Sequence, residues 1–247
     1  MSVAAFDLLA SEYDRVWTQS GVGLAQREAV WRSIGTLVQP GQSALDLGCG
    51  TGEDSVRLMR GGMRVRAIDA SPEMVRIARG RGVDAEVCRI EDCERRRESY
   101  DLVLSNFGAL NCVEDLNTLG EPLGKLVPPG GYLAICIIGR FCVWETAWAL
   151  LRAQPAKAFR RWRESAMSSL GFRVFYPSKK DLEAAFAPQF RLVSWRGIGL
   201  SVPPSYVACS SSVLRTLDAF DRRVAHWPVL RALCDHRLFM FVRRESW

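Results

Sequence analysis

The stretch Ala44-Leu45-Asp46-Leu47-Gly48-Cys49-Gly50-Thr51-Gly52 places an apolar run that ends in an acid directly before three alternating glycines. A helical pattern follows from Glu53. Glycine lets the backbone turn sharply and approach a ligand closely, and a helix N-terminus offers unpaired N–H groups. The stretch therefore predicts a strand, a tight ligand-binding loop and a helix, in that order.

A second candidate strand, Arg64-Val65-Arg66-Ala67-Ile68-Asp69, also ends in a carboxylate. In a parallel sheet of alternating strands and helices, an acid at this point lies where ribose hydroxyls bind. The glycines follow the spacing G-x-G-x-G, whereas dinucleotide-binding proteins show G-x-G-x-x-G. The two segments together predict a site for a nucleotide-like ligand other than NAD.

The rest of the chain continues an alternating order of strands and helices. Further strands are predicted near 84–89, 100–106, 131–138, Phe190–Trp195 and Arg237–Val242. Helices are predicted within 3–38 and near 53–60, 72–80, 114–126 and 179–187, the last opened by a capping box at Ser178-Lys179-Lys180-Asp181. Residues 141–177 are predicted as one or two helices broken near Pro155, and 201–236 as a second excursion. The pattern predicts a doubly wound α/β fold.

Composition limits the classes of protein that remain. A chain of 247 residues suits one α/β domain with insertions. No segment has the roughly 18 continuous apolar residues of a membrane span, and residues 1–12 lack a secretory-signal pattern. The eight cysteines show no C-x-x-C spacing, which indicates reduced thiols in a cytoplasmic protein without a metal site.

Charge and tryptophan are unevenly distributed along the chain. Residues 1–140 hold 16 Lys and Arg against 19 Asp and Glu, a net −3, whereas residues 141–247 hold 17 against 8, a net +9. Six of the eight tryptophans lie in the second half as well. No low-complexity linker separates the halves, so one cooperative unit is predicted.

The blocks Leu45–Gly52 and Ala67-Ile68-Asp69-Ala70-Ser71-Pro72-Glu73-Met74 resemble the class I S-adenosylmethionine-dependent methyltransferases. The resemblance implies a Rossmann-like, mostly parallel seven-stranded sheet whose last two strands are antiparallel. It also implies helical insertions that cap the substrate. The corresponding parts of this chain are lid helices and cofactor core in 1–140, a cap in 141–177, core in 178–200, a second cap in 201–236 and the last strand in 237–247.

The same resemblance implies a set of cofactor-binding residues. They are Tyr13, Arg27, Asp46, Gly48, Cys49, Gly50, Thr51, Gly52, Asp69, Ala70, Met74, Ile90, Glu91, Asp92, Asn106 and Phe107. Asp69 is assigned to the ribose, Met74 and Asp92 to the adenine, Arg27 to the carboxylate and Tyr13 to a lid. Core packing for Met74 and a solvated acidic loop around Asp92 remain the alternatives.

The acceptor side is assigned from the end of the fourth strand and the basic second half. Asn106, Phe107 and His226 are the candidates for direct action on the methyl transfer, with His226 as a general base where the acceptor needs one. The predicted substrate-binding residues are Asn111, Trp144, Trp148, Arg160, Arg161, Arg163 and Tyr206. The arginines are assigned to an anionic group on an aromatic or lipid-like acceptor; an amphipathic helix with solvated arginines is the alternative.

These assignments predict an enzyme that methylates a small hydrophobic or aromatic molecule, with O, N, C and S acceptor atoms all open. Asn106-Phe107-Gly108-Ala109 departs from the Asn-Pro-Pro-Tyr of sequences that resemble adenine or cytosine amino-methyltransferases, so a DNA substrate is not predicted. A carrier-protein-tethered acceptor, an RNA substrate and a non-catalytic regulatory partner that binds the cofactor remain alternatives.

Overall fold

The computed structural model describes residues 2–95, 98–204, 207 and 209–245. Seven strands form one sheet and two short strands form a hairpin. The strands are β1 (Ser43–Leu47), β2 (Arg64–Asp69), β3 (Asp84–Val87), β4 (Leu102–Ser105), β5 (Tyr132–Ile138), β6 (Ser165–Met167), β7 (Arg173–Phe175), β8 (Phe190–Ile198) and β9 (His236–Arg243).

The main sheet runs in the order β3-β2-β1-β4-β5-β9-β8. The first five strands of that order are parallel, and β9 is antiparallel to both β5 and β8. The predicted fold class, including the antiparallel last pair, is confirmed. Because the chain adds strands to one side of β1 and then continues on the other with β4, a crevice opens at the carboxyl ends of these two strands.

Helices cover both faces of this sheet and precede it at the N-terminus. They are α1 (Ser2–Tyr13), α2 (Gly21–Ile34), α3 (Glu53–Arg60), α4 (Pro72–Gly80), α5 (Gly120–Leu126), α6 (Val143–Leu151), α7 (Pro155–Ala158), α8 (Lys179–Phe186) and α9 (Ser211–Val224). A π-helical turn, Asp14–Thr18, joins α1 to α2. The capping box predicted at Ser178 and Asp181 begins α8, because each side chain accepts a hydrogen bond from the other residue's backbone N–H.

The central strands alternate their side chains between two separate cores, as pleated strands do. Leu45 and Leu47 of β1 join α5 and α8 in one core, whereas Ala44 packs with α2 in the other. All these side chains are buried, so the strands read as nearly continuous apolar runs in the sequence. Burial on both faces fixes the ends of β1 and β4, and thereby the loops that follow them.

The prediction of helices throughout 141–177 is wrong for its last third. Residues 165–175 form the β6–β7 hairpin, which turns through Gly171 at φ +80°. Val174 is buried between the more exposed Arg173 and Phe175, an alternation of period two that favours strand over helix. The second excursion contains α9, which packs against α2. Within the described part of the chain, no helix combines the length and apolar character needed to cross a bilayer.

Candidate functional site

A cleft of about 350 Å³ opens at the carboxyl edge of the sheet, beside the loops that follow β1, β2, β3 and β4. A cavity of this size suits a small-molecule ligand. Of the residues predicted to bind cofactor or substrate, the cleft is lined by Tyr13, Gly48, Gly50, Asp69, Ala70, Met74, Ile90, Glu91, Asn106, Phe107 and Asn111. The structure therefore brings together residues that the sequence separates by up to about half its length.

The glycine loop after β1 is both tightly held and open to the cleft. The backbone N–H groups of Gly48 and Cys49 donate to the Ile68 carbonyl at 2.8 and 2.9 Å, which ties the loop to β2. A Cβ atom at Gly48 would lie 2.3 Å from Ala109 Cβ, whereas one at Gly50 would meet no atom within 4 Å. Gly50 has φ +54°, a conformation that favours glycine. The space beside Gly50 belongs to the cleft.

Asp69 organises the same loop from the end of β2. Its Oδ2 accepts from the Gly50 N–H at 2.8 Å, and its Oδ1 accepts from the Ser71 N–H at 2.9 Å. Burial raises the pKa of Asp69, although the backbone donors oppose that shift. A carboxylate has about four acceptor positions, so its backbone partners Gly50, Ser71 and Ala70 leave one for a ligand in the cleft.

Beyond Asp69 the cleft wall passes over the first turn of α4 and the turn after β3. Met74 is buried there and Ala70 lies beside it. Glu91 is partly buried, and its ion pair with Arg89, at 2.7 Å, lowers the pKa of that carboxyl against the effect of burial. We call Asp69, Arg89 and Glu91 the polar wall.

A buried carboxylate, Asp54, holds the residues at the end of β4. It forms an ion pair with Arg27 and accepts from Trp31 Nε1 at 2.8 Å and from Asn106 Nδ2 at 3.0 Å. Asn106 Oδ1 in turn accepts from the Phe107 N–H at 3.0 Å. The Asn106 amide is thereby fixed in place, and it positions Phe107 with φ +50°. Such a conformation costs a non-glycine residue energy and persists where surrounding contacts impose it.

The Phe107 ring is enclosed by polar and aromatic groups on the side away from the cleft. The Arg27 guanidinium carbon lies 5.0 Å from the ring centre, and the rings of Trp17 and His236 meet it edge-on at 5.5 and 5.3 Å. His236 is buried, with its Nδ1 3.4 Å from Asp235 Oδ2. His236 thus lies directly behind the cleft wall.

Six predicted cofactor residues do not line the cleft: Arg27, Asp46, Cys49, Thr51, Gly52 and Asp92. Asp46 lies beneath the glycine loop and accepts from Ser55 Oγ at 2.6 Å. Burial, reinforced by the nearby Asp54 charge, raises the pKa of Asp46 to about 7. Gly52 begins α3 and packs on Ala78. Asp46 and Gly52 therefore support the glycine loop from behind, because they lie at the end of β1 and the start of α3.

The N-terminal helix α1 roofs the cleft with Val3, Phe6 and Tyr13. Burial raises the pKa of Tyr13 to about 12. Two carboxylates attach this roof to the walls. Asp7 accepts from the Glu73 N–H at 3.2 Å and from Ser71 Oγ. Asp14 accepts from Thr51 Oγ1 at 2.7 Å and pairs with Arg81. Tyr13 lies in this roof and Thr51 ties the roof to the glycine loop, whereas a lid role for Tyr13 over the cofactor stays a prediction.

The β6–β7 hairpin completes the cleft with an apolar surface. Phe6, Cys112, Ile138, Phe172 and Val174 pack together and line the cleft; we call them the apolar wall. The rings of Phe6 and Phe172 lie 5.1 Å apart. Neither phenylalanine was predicted as a site residue. The hairpin lies within the cap predicted over 141–177, which was expected to be helical, although the alternation in Phe172-Arg173-Val174-Phe175 carries a strand signal.

Asn111 attaches the hairpin to the sheet. Its Nδ2 donates to the Phe175 carbonyl at 2.6 Å and to the Ile138 carbonyl at 3.3 Å, and its Oδ1 accepts from the Ile138 N–H at 2.8 Å. The amide was predicted to bind substrate. Its hydrogen bonds instead join β7 to the end of β5, because a buried amide at this junction must satisfy both of its ends.

The arginines assigned to an anionic acceptor are engaged elsewhere. Arg160 and Arg161 bind Glu145 at 2.5 and 2.6 Å, and Arg161 also binds Asp235 at 2.8 Å. Burial by itself raises the pKa of Asp235. The charges of His236 and Arg161 outweigh burial and hold that pKa far below its usual range. Local charge in the sequence could not show this pairing, because Asp235 lies 74 positions away from Arg161. Arg163 is exposed and does not line the cleft.

Three other predicted acceptor-side residues also lie away from the cleft. Trp144 Nε1 donates to the Ser201 carbonyl at 2.8 Å, and Trp148 lies half-exposed beside Arg152. His226 lines a separate depression of about 260 Å³ between α2, β8 and α9, so the structure does not support it as the base. Tyr206 lies outside the described residues.

Comparison with known proteins places the chain in a family. A family model described as a methyltransferase domain matches residues 39–181. A demethylmenaquinone methyltransferase of Clavibacter sepedonicus is 35% identical over 142 residues, which cover 54% of this chain and 56% of that protein. A ubiquinone biosynthesis O-methyltransferase of Xanthomonas campestris pv. campestris is 34% identical over 113 residues, covering 41% and 45%. The match spans about half the length of these curated relatives.

Solved structures with the same fold cover nearly the whole chain. An S-adenosylmethionine-dependent methyltransferase of Mesorhizobium loti aligns with a TM-score of 0.59 and 16% identity, over 87% of this chain and 97% of that one. Phosphoethanolamine N-methyltransferase 2 of Haemonchus contortus, solved with S-adenosyl-L-methionine, aligns with a TM-score of 0.60 and 17% identity, over 97% and 57%. At these identities the likeness concerns the fold. Taken with the family model, it shows that the chain belongs to the class I S-adenosylmethionine-dependent methyltransferases.

Proposed function

We propose that this protein transfers the methyl group of S-adenosylmethionine to a small, uncharged, apolar acceptor bound against the apolar wall. The observation that carries this proposal is the composition of the cleft. Its polar wall and glycine loop offer hydrogen-bonding groups, whereas Phe6, Ile138, Phe172 and Val174 offer none from their side chains. Two chemically distinct surfaces in one cleft suit one polar and one apolar ligand.

The residues of the polar wall and glycine loop fit S-adenosylmethionine. The remaining acceptor position of Asp69 suits a ribose hydroxyl, and the open space beside Gly50 lets a ligand approach the backbone. Met74 and Ile90 offer apolar faces for the adenine, with Glu91 at its edge. Arg27 lies too deep to line the cleft, so its role in this proposal is to hold Asp54 and Phe107 in place.

The chemistry that S-adenosylmethionine would supply here is a sulfonium methyl group: an acceptor would bond to the methyl carbon as the sulfur–methyl bond breaks and S-adenosylhomocysteine leaves. The chain then has to align the acceptor and exclude water. Asn106 holds Phe107 at the junction between the two walls, where an aromatic ring attracts a nearby cation. The roof of α1 and the hairpin exclude water from the same space. Because the apolar wall carries no carboxylate or imidazole, the acceptors that fit best react without a strong base.

The names of the two curated relatives agree with an apolar acceptor. Both refer to the biosynthesis of quinones, molecules with an apolar ring system. The pairing of Arg160 and Arg161 with Glu145 and Asp235 removes the cationic groups that would have favoured an anionic acceptor. A neutral aromatic molecule is therefore preferred as the acceptor to a carboxylated one.

The test is a screen for S-adenosylhomocysteine release with paired acceptors, each neutral aromatic compound beside its carboxylated analogue. We expect turnover of neutral members, and turnover of only the carboxylated members would contradict the proposal. Phe172→Ala is expected to raise KM for a neutral acceptor by about tenfold, roughly 1.4 kcal/mol of lost apolar contact, with the Kd for cofactor changed less than twofold. Phe220→Ala, at a half-exposed position on α9, is the control.

Gly50→Ala tests the cofactor assignment separately. We expect the Kd for S-adenosylmethionine to rise about tenfold, because the added methyl group enters the cleft and a left-handed backbone resists a side chain. Gly82→Ala is the matched control, since Gly82 also has positive φ, +81°, and open space around its Cβ position, but lies outside the cleft. Equal Kd values for the two variants in isothermal titration would refute a cofactor site at Gly50.

A further inference from the structure

Residues 143–163, here called the exposed segment, leave large apolar side chains in solvent. These side chains are Val143, Trp148, Leu150, Leu151, Phe159 and Trp162. Leu151 is 83% exposed and Trp162 is 53% exposed. Helices α6 and α7 pack against each other here, with Thr146 Oγ1 donating to the Ala158 carbonyl at 3.3 Å. A concentration of exposed apolar side chains within one short segment of the chain is typical of an interaction surface.

The exposed segment is also strongly cationic. Residues 143–163 contain five Lys and Arg against one acid, Glu145. Arg160 and Arg161 are neutralised by Glu145 and Asp235, so Arg152, Lys157 and Arg163 remain as exposed charges. The Arg152 guanidinium carbon lies 4.5 Å from the centre of the Trp148 ring, which places a cation directly beside an aromatic ring.

This combination identifies the kind of partner. A second copy of the chain would bring like charges together in a symmetric contact, which disfavours self-association. A partner must instead accept aromatic and aliphatic side chains while presenting negative charge. Short helices with Trp, Phe and Leu among Lys and Arg lie in the headgroup region of anionic bilayers. We propose that the exposed segment binds the surface of an anionic phospholipid membrane, with no helix spanning it.

The position of the exposed segment connects the proposed membrane contact with the cleft. The chain continues directly into the β6–β7 hairpin, which contributes Phe172 and Val174 to the cleft and exposes Met167 (58%) and Leu170 (43%). A bilayer contact at α6 and α7 would place the cleft near the membrane, where apolar acceptors partition. That consequence rests on the proposed function, whereas membrane binding itself does not depend on it.

The test is flotation of the full chain with vesicles of phosphatidylcholine alone and of phosphatidylcholine mixed equally with phosphatidylglycerol. We expect binding to the mixed vesicles, weaker binding at high salt, and little binding to phosphatidylcholine alone. The Arg152→Gln/Lys157→Gln/Arg163→Gln variant is expected to weaken binding by roughly 10- to 100-fold. The control is Arg60→Gln/Arg64→Gln/Arg191→Gln, which removes three exposed charges elsewhere.

A second variant tests the apolar contribution. Leu150→Glu/Leu151→Glu is expected to abolish flotation, whereas Val229→Glu, at a position that is 71% exposed outside the exposed segment, is expected to leave it intact. Unchanged far-ultraviolet circular dichroism and unchanged Kd for S-adenosylmethionine would show that each variant folds. Flotation that is absent, or equal in the matched pairs, would overturn the proposal. Dimer formation through residues 143–163 in sedimentation would overturn it as well.

Discussion

Asp69→Asn is expected to weaken S-adenosylmethionine binding by roughly 100-fold, about 3 kcal/mol. Asp69 is proposed to accept from a ribose hydroxyl, and its two oxygens already accept from the Gly50 and Ser71 N–H groups. An amide keeps one acceptor and replaces the other by a donor, so one of those backbone groups would lose its partner. The variant therefore loses ligand contacts and the loop conformation together. Isothermal titration measures the change.

Asp84→Asn is the control for Asp69→Asn. Asp84 begins the neighbouring strand β3, and its side chain is 64% exposed in an ion pair with Arg66. We expect that control to bind the cofactor as the unaltered protein does. If Asp69→Asn also bound within twofold of the unaltered protein, the assignment of the polar wall to the cofactor would fail.

Local sequence signals predicted the loops that line one half of the cleft; their contact with a cofactor stays a prediction. The glycine loop, the acid that ends β2 and the capping box at Ser178 each depend on residues within about ten positions of one another. Their conformations follow from backbone chemistry, from helix caps and from burial of the central strands. The structure places Gly48, Gly50, Asp69 and Met74 around one cleft, as the strand order of this fold requires.

The acceptor half could not be predicted in the same way, because its residues meet through tertiary contacts. The rings of Phe6 and Phe172 are in contact although the two residues are far apart in the sequence, and no local pattern links them. The cationic residues near Trp162 gave a genuine charge signal, but charge alone does not reveal a partner such as Asp235. His226 and His236 differ likewise: the sequence favoured the first, whereas strand pairing of His236 with Ile138 brings the second behind the cleft.

Arg161→Met is expected to destabilise the protein by about 3–5 kcal/mol without a specific effect on the acceptor. The Arg161 side chain is 10% exposed and joins Glu145 on α6 to Asp235 before β9. Its removal leaves Glu145 with Arg160 alone and leaves the buried Asp235 with its weaker contacts to His236 and Gln26, at 3.4 and 3.3 Å. Chemical unfolding measures the loss, and Arg163→Met, at an exposed position, is expected to change stability by less than about 0.5 kcal/mol.

The pH dependence distinguishes this structural role of Arg161 from a role in substrate binding. The folded protein holds the pKa of Asp235 below its unfolded value, so the charged carboxylate contributes stability above that unfolded value, and the contribution is lost as pH falls. Without Arg161 the part of this contribution that comes from Arg161 is lost, while the part that comes from His236 remains. The stability difference between the unaltered protein and Arg161→Met should therefore stay constant from pH 7 to about pH 5 and shrink as pH falls below about 4. Asp235→Asn should partly rescue Arg161→Met, because the two changes act on one contact. If Arg161→Met instead kept full stability and raised KM for carboxylated acceptors alone, Arg161 would be an anion-binding residue.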